Sequence, residues 1–495
     1  MGIIQKQALR STLINFVGIG FGAITRMIMP FVLEKAQIGV LALLDSISGV
    51  FIVALNFGYN LILKKLFPKY RDEDNGHSGF LALGLALSLL GTFIGVSLFY
   101  IFKDDYFGDK LSQNSLIKPF VFLIPILIFF RILFMNLDGY IRMLFKTVIG
   151  TFLEGFVSKI IFLTAITLYI FTIVNFSGFV YLYCLALSFP GLFTLFYAFY
   201  VTKKVKLPTS QLMAERHVIK SYILFGILTG ATSAILQYID VLMIEKLIPF
   251  NSEDEVGVYS IFFFAAALIM IPQKNVSKIS QVVISESWKD NDFDNLQSIY
   301  SKSALNLMIV GGYLFIVGWA CIDSVLEFKA LQPYAYAKYA FFILGLGRLI
   351  ELSTGVNAEI IDASEKYKFN TYFNLTLAVL AVVFNLIFIP LYGILGAGIA
   401  TFLALTIINV FRGVFLYKTF KLSPFNTQFF KTLIVVLGFI GLASVLKYNL
   451  NPIFEIVINF SLITTLYWLV IIKFKLSSDI NDWLLKMKRK FITNG

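Results

Sequence analysis

Charge is scarce in this sequence. Asp, Glu, Lys and Arg make up 14% of its 495 residues, where a soluble domain carries about 25%. Histidine is scarcer still. His77 and His217 stand far apart, so they form no metal constellation, and no Ser/His/Asp set can be placed. Cys184 and Cys321 lie inside apolar runs, which argues against a disulfide framework. No phosphate-binding GxxxxGK[ST] sequence occurs, so nucleotide hydrolysis by that route is excluded. The glycines of Gly18-Ile19-Gly20-Phe21-Gly22 sit within an apolar run and follow no strand, so they read as helix packing rather than a dinucleotide loop.

Apolar residues fill the space that charge leaves. The chain is 58% hydrophobic, with 53 Phe and 24 Tyr, and its mean hydropathy is +0.82. This composition indicates an all-α integral membrane protein. Apolar runs at 11–33, 38–62, 79–101, 117–137, 148–173, 178–200, 221–247, 257–273, 303–326, 339–361, 370–390, 394–416, 432–446 and 453–472 predict about fourteen transmembrane helices. No small-residue cleavage pattern follows the first run, so it is read as a retained helix. Position 6 is Lys6 rather than Ser or Thr, so Gly2 is not expected to be myristoylated.

The net charge of +12 would suit nucleic acid, but its distribution points elsewhere. Most Lys and Arg residues fall on the side shared by both termini. The opposite side holds only Lys35, Lys103, Lys110, Lys118, Lys246, Lys329, Lys338 and Lys447. By the positive-inside rule both termini are cytoplasmic. The basic tail from Lys473 to Lys490 reads as an anchor on anionic membrane lipids, and no nucleic-acid partner is expected. Every loop is too short to fold as a domain, so function is expected within the membrane.

A repeat divides the chain. Leu33-Glu34-Lys35 followed by Ile38-Gly39-Val40 is echoed by Ile244-Glu245-Lys246 followed by Val256-Gly257-Val258. The simplest parse is an N-terminal lobe of six spans (1–202), a basic linker (203–220), a second six-span lobe (221–420) and a terminal helix pair with its tail (421–495). An even number of spans per half makes the halves parallel repeats about an axis along the membrane normal, with the site between them.

Five basic groups lie inside spans: Arg26, Arg131, Lys159, Arg348 and Arg412. An Arg near mid-membrane costs roughly 2.5–3.5 kcal/mol on insertion scales, so such groups are expected to face a partner or a wet space. Arg26, Arg131, Arg348 and Lys159 are the candidate substrate-binding residues. Asp45, Asp240, Glu351 and Glu154 are the candidates for charge pairing or ion coupling. Arg26, Asp45 and Asp240 lie at similar depth, which predicts that they face one another across the repeat interface. Arg348 and Glu351, three apart, can pair on one helix face. Glu154 and Lys159, five apart, fall on different faces of an α-helix. Arg412 and Asp138 stand near span ends and are expected to snorkel. Burial makes Asp45, Asp240 and Glu351 the candidates for coupling to a proton or sodium gradient. No catalytic residue, metal or cofactor is expected.

Some stretches resemble a known family. Ile389-Pro390-Leu391-Tyr392-Gly393-Ile394-Leu395-Gly396-Ala397-Gly398-Ile399-Ala400-Thr401, preceded by Asn385, resembles the turn between the eleventh and twelfth helices of Wzx-type polysaccharide repeat-unit flippases. Val256-Gly257-Val258-Tyr259-Ser260 is similar to the start of their eighth helix. Met1-Gly2-Ile3-Ile4-Gln5-Lys6-Gln7 looks like the opening of members from Bacteroidetes-type bacteria. The resemblance implies the fold of the multidrug/oligosaccharidyl-lipid/polysaccharide exporter superfamily: two six-helix lobes around a central cavity, working by alternating access. It further implies a carrier of undecaprenyl-diphosphate-linked oligosaccharide across the bacterial inner membrane, alongside the polymerase and glycosyltransferases of its pathway. Two other readings stay open: an ion-coupled exporter of drugs or small molecules from the same superfamily, and a membrane-embedded polymerase or ligase. The nearly charge-free last two spans are candidates for a prenyl groove, with ordinary packing as the alternative.

Overall fold

The structure, a computed structural model, describes residues 3–108, 115–202, 205–448 and 450–482; the side chains of 3–16 and 19 lie outside the description. Most of the basic tail, and the opening Met1-Gly2, fall outside it too. All regular structure among the described residues is helical. In chain order the helices are α1 (Ile3–Val32), α2 (Lys35–Leu55), α3 (Tyr59–Leu66), α4 (Phe80–Phe107), α5 (Leu123–Met143), α6 (Thr147–Phe152), α7 (Ser158–Ile170), α8 (Phe176–Val201), α9 (Ser210–Ala214), α10 (Arg216–Leu247), α11 (Ser252–Leu268), α12 (Ile271–Lys289), α13 (Phe293–Leu326), α14 (Lys338–Ser353), α15 (Asn357–Ala363), α16 (Lys368–Phe420), α17 (Thr427–Val445) and α18 (Pro452–Lys473).

Local chemistry sets several of these boundaries. The side chains of Asn175, Asp292 and Asn426 accept a backbone N–H of the turn that follows, capping α8, α13 and α17. At the start of α2 the Gln37 side chain takes the Glu34 backbone N–H at 3.1 Å. Among the described residues, ten helical stretches are long and apolar enough to cross a membrane. The number is twelve if the bent pairs α11–α12 and α14–α15, each turned by 45°, count as single spans. The predicted fourteen are not confirmed among the described residues. One cause is α16, counted once although Gly393 breaks it with φ 57° and ψ −136°. That backbone conformation is all but closed to other residues, and it falls at the boundary expected between 370–390 and 394–416.

The chain packs as two units, Met1–Ser260 and Ile261–Gly495. In the first, α3, α4, α5 and α10 enclose a core that includes Tyr59, Phe67, Phe80 and Tyr140. Its buried hydroxyls are satisfied: Tyr59 donates to the Phe80 carbonyl at 2.6 Å, and Tyr140 bonds Thr202 at 2.9 Å. In the second, α13 is the hub, packed by α12, α14, α17 and α18. Polar ties fasten α18 to it. Tyr467 donates to the Ile309 carbonyl at 2.8 Å, Asn459 to the Ala320 carbonyl at 2.9 Å, and Ser324 to Glu455 at 2.8 Å. These ties hold α18 on α13 along one face. Large apolar side chains such as Phe93, Phe196 and Ile434 stay exposed, the surface a bilayer solvates.

Small residues let α2 and α10 approach closely. Asn56 ends α2 and accepts the Gly58 N–H at 2.9 Å. Gly58, at φ 60°, lies directly against Gly226. At the other end of α2, Gly39 packs on the carbonyl of Glu253 while Gly257 packs on the carbonyl of Lys35. Glu253 precedes Gly257 by the same four residues that separate Lys35 from Gly39. Such reciprocity is what a local two-fold axis between repeat-related segments produces. A side chain at either position would strike backbone rather than a movable side chain. Gly257→Leu is expected to cost about 1–3 kcal/mol, read as a lower melting temperature of the purified protein; an unchanged melt would contradict the contact.

Ahead of α10, Glu215 accepts from Lys69 at 2.7 Å and from the Tyr70 hydroxyl at 3.0 Å. The Lys69 bond holds the Glu215 carboxyl below its usual range. Its stabilisation is therefore present above the ordinary carboxylate range, about pH 4.3, and is lost as pH falls through the lowered value. The melting temperature of Glu215→Gln should differ from the parent's near neutral pH and converge with it in acid.

Candidate functional site

Asp45 on α2 and Arg131 on α5 form the fixed centre of the polar groups in the first unit. Arg131 Nη2 lies 2.9 Å from Asp45 Oδ1. Its Nη1 donates to Ser48 Oγ at 2.7 Å and to the Asp45 carbonyl at 3.3 Å. Asp45 and Ser48 share a helix face because three residues is close to one turn. Ser48 donates its hydroxyl to the Leu44 carbonyl at 2.7 Å, so its oxygen faces the guanidinium as an acceptor. The next residue, Gly49, leaves the slot that the Tyr238 ring of α10 fills. Tyr238 in turn accepts from Gln237 at 3.0 Å and lies within reach of the Arg131 charge. Tyr183 on α8, its ring 5.1 Å from that of Phe162, lies within reach of the charges of Asp45, Arg26 and Arg131.

Lys159 joins this group from α7 by way of a local irregularity. Residues Leu153–Val157 form a π turn between α6 and α7. An α-helix would separate positions 154 and 159 by about 140°. One extra residue in a turn removes about 100° of that. The separate faces expected for Glu154 and Lys159 are therefore brought together, and the charge of Glu154 acts on Lys159 along with those of Arg26, Asp45 and Arg131. The π turn also receives α1: Gly18 packs on the Gly155 backbone, Phe21 meets Phe156 edge-on at 5.8 Å, and Gly22 faces the Lys159 stem.

Arg26 is exposed on α1, with its charge felt at Lys159, Tyr183 and Tyr238. Arg26, Arg131, Lys159, Asp45 and Glu154 thus share one electrostatic neighbourhood. Asp240 is held elsewhere: it is buried and accepts the Tyr259 hydroxyl at 2.6 Å. Tyr238 and Asp240, two residues apart on α10, point to different sides.

The second unit carries its own charge cluster. Arg348 Nη1 lies 3.1 Å from Glu351 Oε2, the i,i+3 pair expected from their spacing, and the guanidinium sits 5.6 Å from the Phe263 ring centroid. Arg412 is 8% exposed, so it does not snorkel. It donates to Asn374 at 2.6 Å and lies in the field of Glu351, Asp362 and Glu359. Nearby, Asn409 accepts from Thr354 and Asn357, each at 2.9 Å. Asp138 is buried as well, paired with Arg142 at 2.6 Å. Both residues sit deeper than their place near span ends suggested, because neighbouring helices cover them.

The residues that sequence reasoning missed are hydroxyl and amide groups: Ser48, Tyr183 and Tyr238 in the first unit, Asn374 and Asn409 in the second. Their signal was a polar atom inside an apolar run. Arg412→Gln is expected to lower stability by about 1–3 kcal/mol, since it leaves three carboxylates without their buried cation. Asp362→Asn placed on top should restore part of that loss in a thermal melt.

Residues 4–285 match the profile of a family described as polysaccharide biosynthesis protein. An uncharacterized membrane protein, MJ1068 of Methanocaldococcus jannaschii, is 22% identical over 467 residues, 87% of each chain. Among solved structures, the lipid II flippase MurJ in an inward closed conformation superposes with a TM-score of 0.66. It is 15% identical, and the match covers 93% of this chain and 99% of that one. An inward-facing multidrug resistance MATE family transporter of the MOP superfamily gives a TM-score of 0.59 at 15% identity, covering 84% and 98%. These two likenesses establish the fold.

Proposed function

Because the chain belongs to the polysaccharide biosynthesis protein family, we propose that it flips a lipid-linked oligosaccharide, carried on undecaprenyl diphosphate, from the cytoplasmic to the periplasmic leaflet of a bacterial inner membrane. Alternating access of an N-terminal lobe (1–202) and a C-terminal lobe (221–420) moves the cargo, with both termini in the cytoplasm. The glycan is an O-antigen, capsule or exopolysaccharide repeat unit, supplied by glycosyltransferases and consumed by a polymerase.

The observation that carries this reading is the surplus of positive charge where Arg26, Arg131 and Lys159 meet Asp45 and Glu154. A diphosphate leaving water needs charge-assisted donors, which guanidinium and ammonium groups supply. The hydroxyls of Tyr183 and Tyr238 nearby suit a sugar or phosphate oxygen. That a flippase for lipid II shares the fold supports a lipid-linked cargo. An exporter of cationic drugs would want acids in surplus at this place. In the second unit Arg348 is paired with Glu351, so it serves as a substrate contact only if that pair opens.

Coupling to a proton or sodium gradient through Asp45, Asp240 or Glu351 completes the proposal. In vesicles reconstituted with the purified protein, Arg26→Ala and Arg26→Lys should both slow transport of a fluorescent polyprenyl-diphosphate glycan while protein levels hold. Full activity in either variant removes Arg26 from the site. Collapsing the ion gradients should slow the parent protein as well, and an unchanged rate would end the coupling proposal.

A further inference from the structure

The three cations of the first unit are not equivalent. Arg131 is already committed: its bonds run to the Asp45 carboxylate, the Asp45 carbonyl and Ser48. A guanidinium so held ties α5 to α2 and neutralises Asp45. Lys159 has the opposite character. It is half-buried, its stem lies along α1 at Gly22, and among the described residues it makes no hydrogen bond and no ion pair. Both carboxylates in its field, Asp45 and Glu154, stay beyond pairing distance. The Asp45 carboxylate is turned to Arg131, and Glu154 is exposed.

An ammonium held in an apolar bundle without a partner is costly, unless the partner is a ligand. The π turn keeps it there: without the extra residue, Lys159 would swing about 100° from its present side. Resting on the flippase reading above, we propose that Lys159 is the residue that grips the diphosphate of the lipid carrier, and that Arg131 is a positioning residue whose task is to keep Asp45 away from Lys159. Remove the Arg131 guanidinium and the Asp45 carboxylate is released. It then pairs with the one ammonium in reach, and the diphosphate site is filled from within.

The consequence is a specific pattern of rescue. The full-length protein, held in phosphatidylcholine nanodiscs, is titrated with farnesyl diphosphate and, as the uncharged control, farnesol. The parent protein binds the diphosphate in preference to the alcohol. Lys159→Ala and the shape-conserving Lys159→Met each weaken binding at least about tenfold, the loss expected for one charge-assisted bond. Arg131→Ala weakens it comparably, yet Arg131→Ala with Asp45→Asn recovers to within about threefold of the parent. Asp45→Asn does nothing for Lys159→Ala. Melting temperatures of each variant separate lost binding from lost folding.

Parent-like affinity in either folded Lys159 variant overturns the assignment of the grip. A folded Arg131→Ala that binds normally, or stays weak in the double variant, overturns the shielding role. A parent protein that prefers farnesol or binds neither probe would instead strike the flippase reading, and this inference with it.

Discussion

A charge inside an apolar helical bundle must be answered by the protein or by what the protein carries, since hydrocarbon offers nothing. In the first unit the answer is partial. Asp45 and Arg131 satisfy each other, with Ser48 completing the guanidinium's contacts. Beside them stands Lys159, which makes no ion pair among the described residues, in the field of Arg26. The second unit closes its account more fully, with Arg348 on Glu351 and Arg412 set among three acids and Asn374. The two units therefore differ in chemistry: the first gathers three cations around Asp45 and Glu154, the second sets Arg348 and Arg412 among three acids.

Close backbone approach is the means. Side chains of ordinary length meet in these positions only because α1 rests on the π turn through Gly18 and Gly155, and α2 on α10 through Gly58 and Gly226. In a bilayer, where apolar side chains gain nothing by leaving lipid for protein, such small-residue contacts and polar ties supply the association. The ties between α18 and α13 follow the same logic. The irregular backbone also has work of its own: the turn at Leu153–Val157 sets which way Lys159 faces.

The fold class was legible from composition alone, because few charges and long apolar runs admit little else. The Arg348–Glu351 pair was legible too, since i,i+3 spacing is a property of one helix. Grouping Arg26 with Asp45 by depth fits their shared neighbourhood, whereas Asp240 at the same depth is bonded to Tyr259. Depth fixes a level in the membrane, not a direction around the helix axis. Glu154 and Lys159 were misread because hydropathy has no signature for a π turn. Hydropathy separates the runs 370–390 and 394–416 where the structure carries one α16 across the Gly393 break, and bends such as those within α11–α12 and α14–α15 leave composition unchanged. Burial of Arg412 depended on Asn374, which lies 38 positions away on the same α16, beyond the Gly393 break.

The reciprocal seating of Gly39 on Glu253 and of Gly257 on Lys35 reaches beyond packing. Each segment is the wall against which the other rests, so neither can enlarge without the other yielding. The two glycines are bound to a common fate: a side chain gained at one would have to be answered by a shift of the backbone that carries the other.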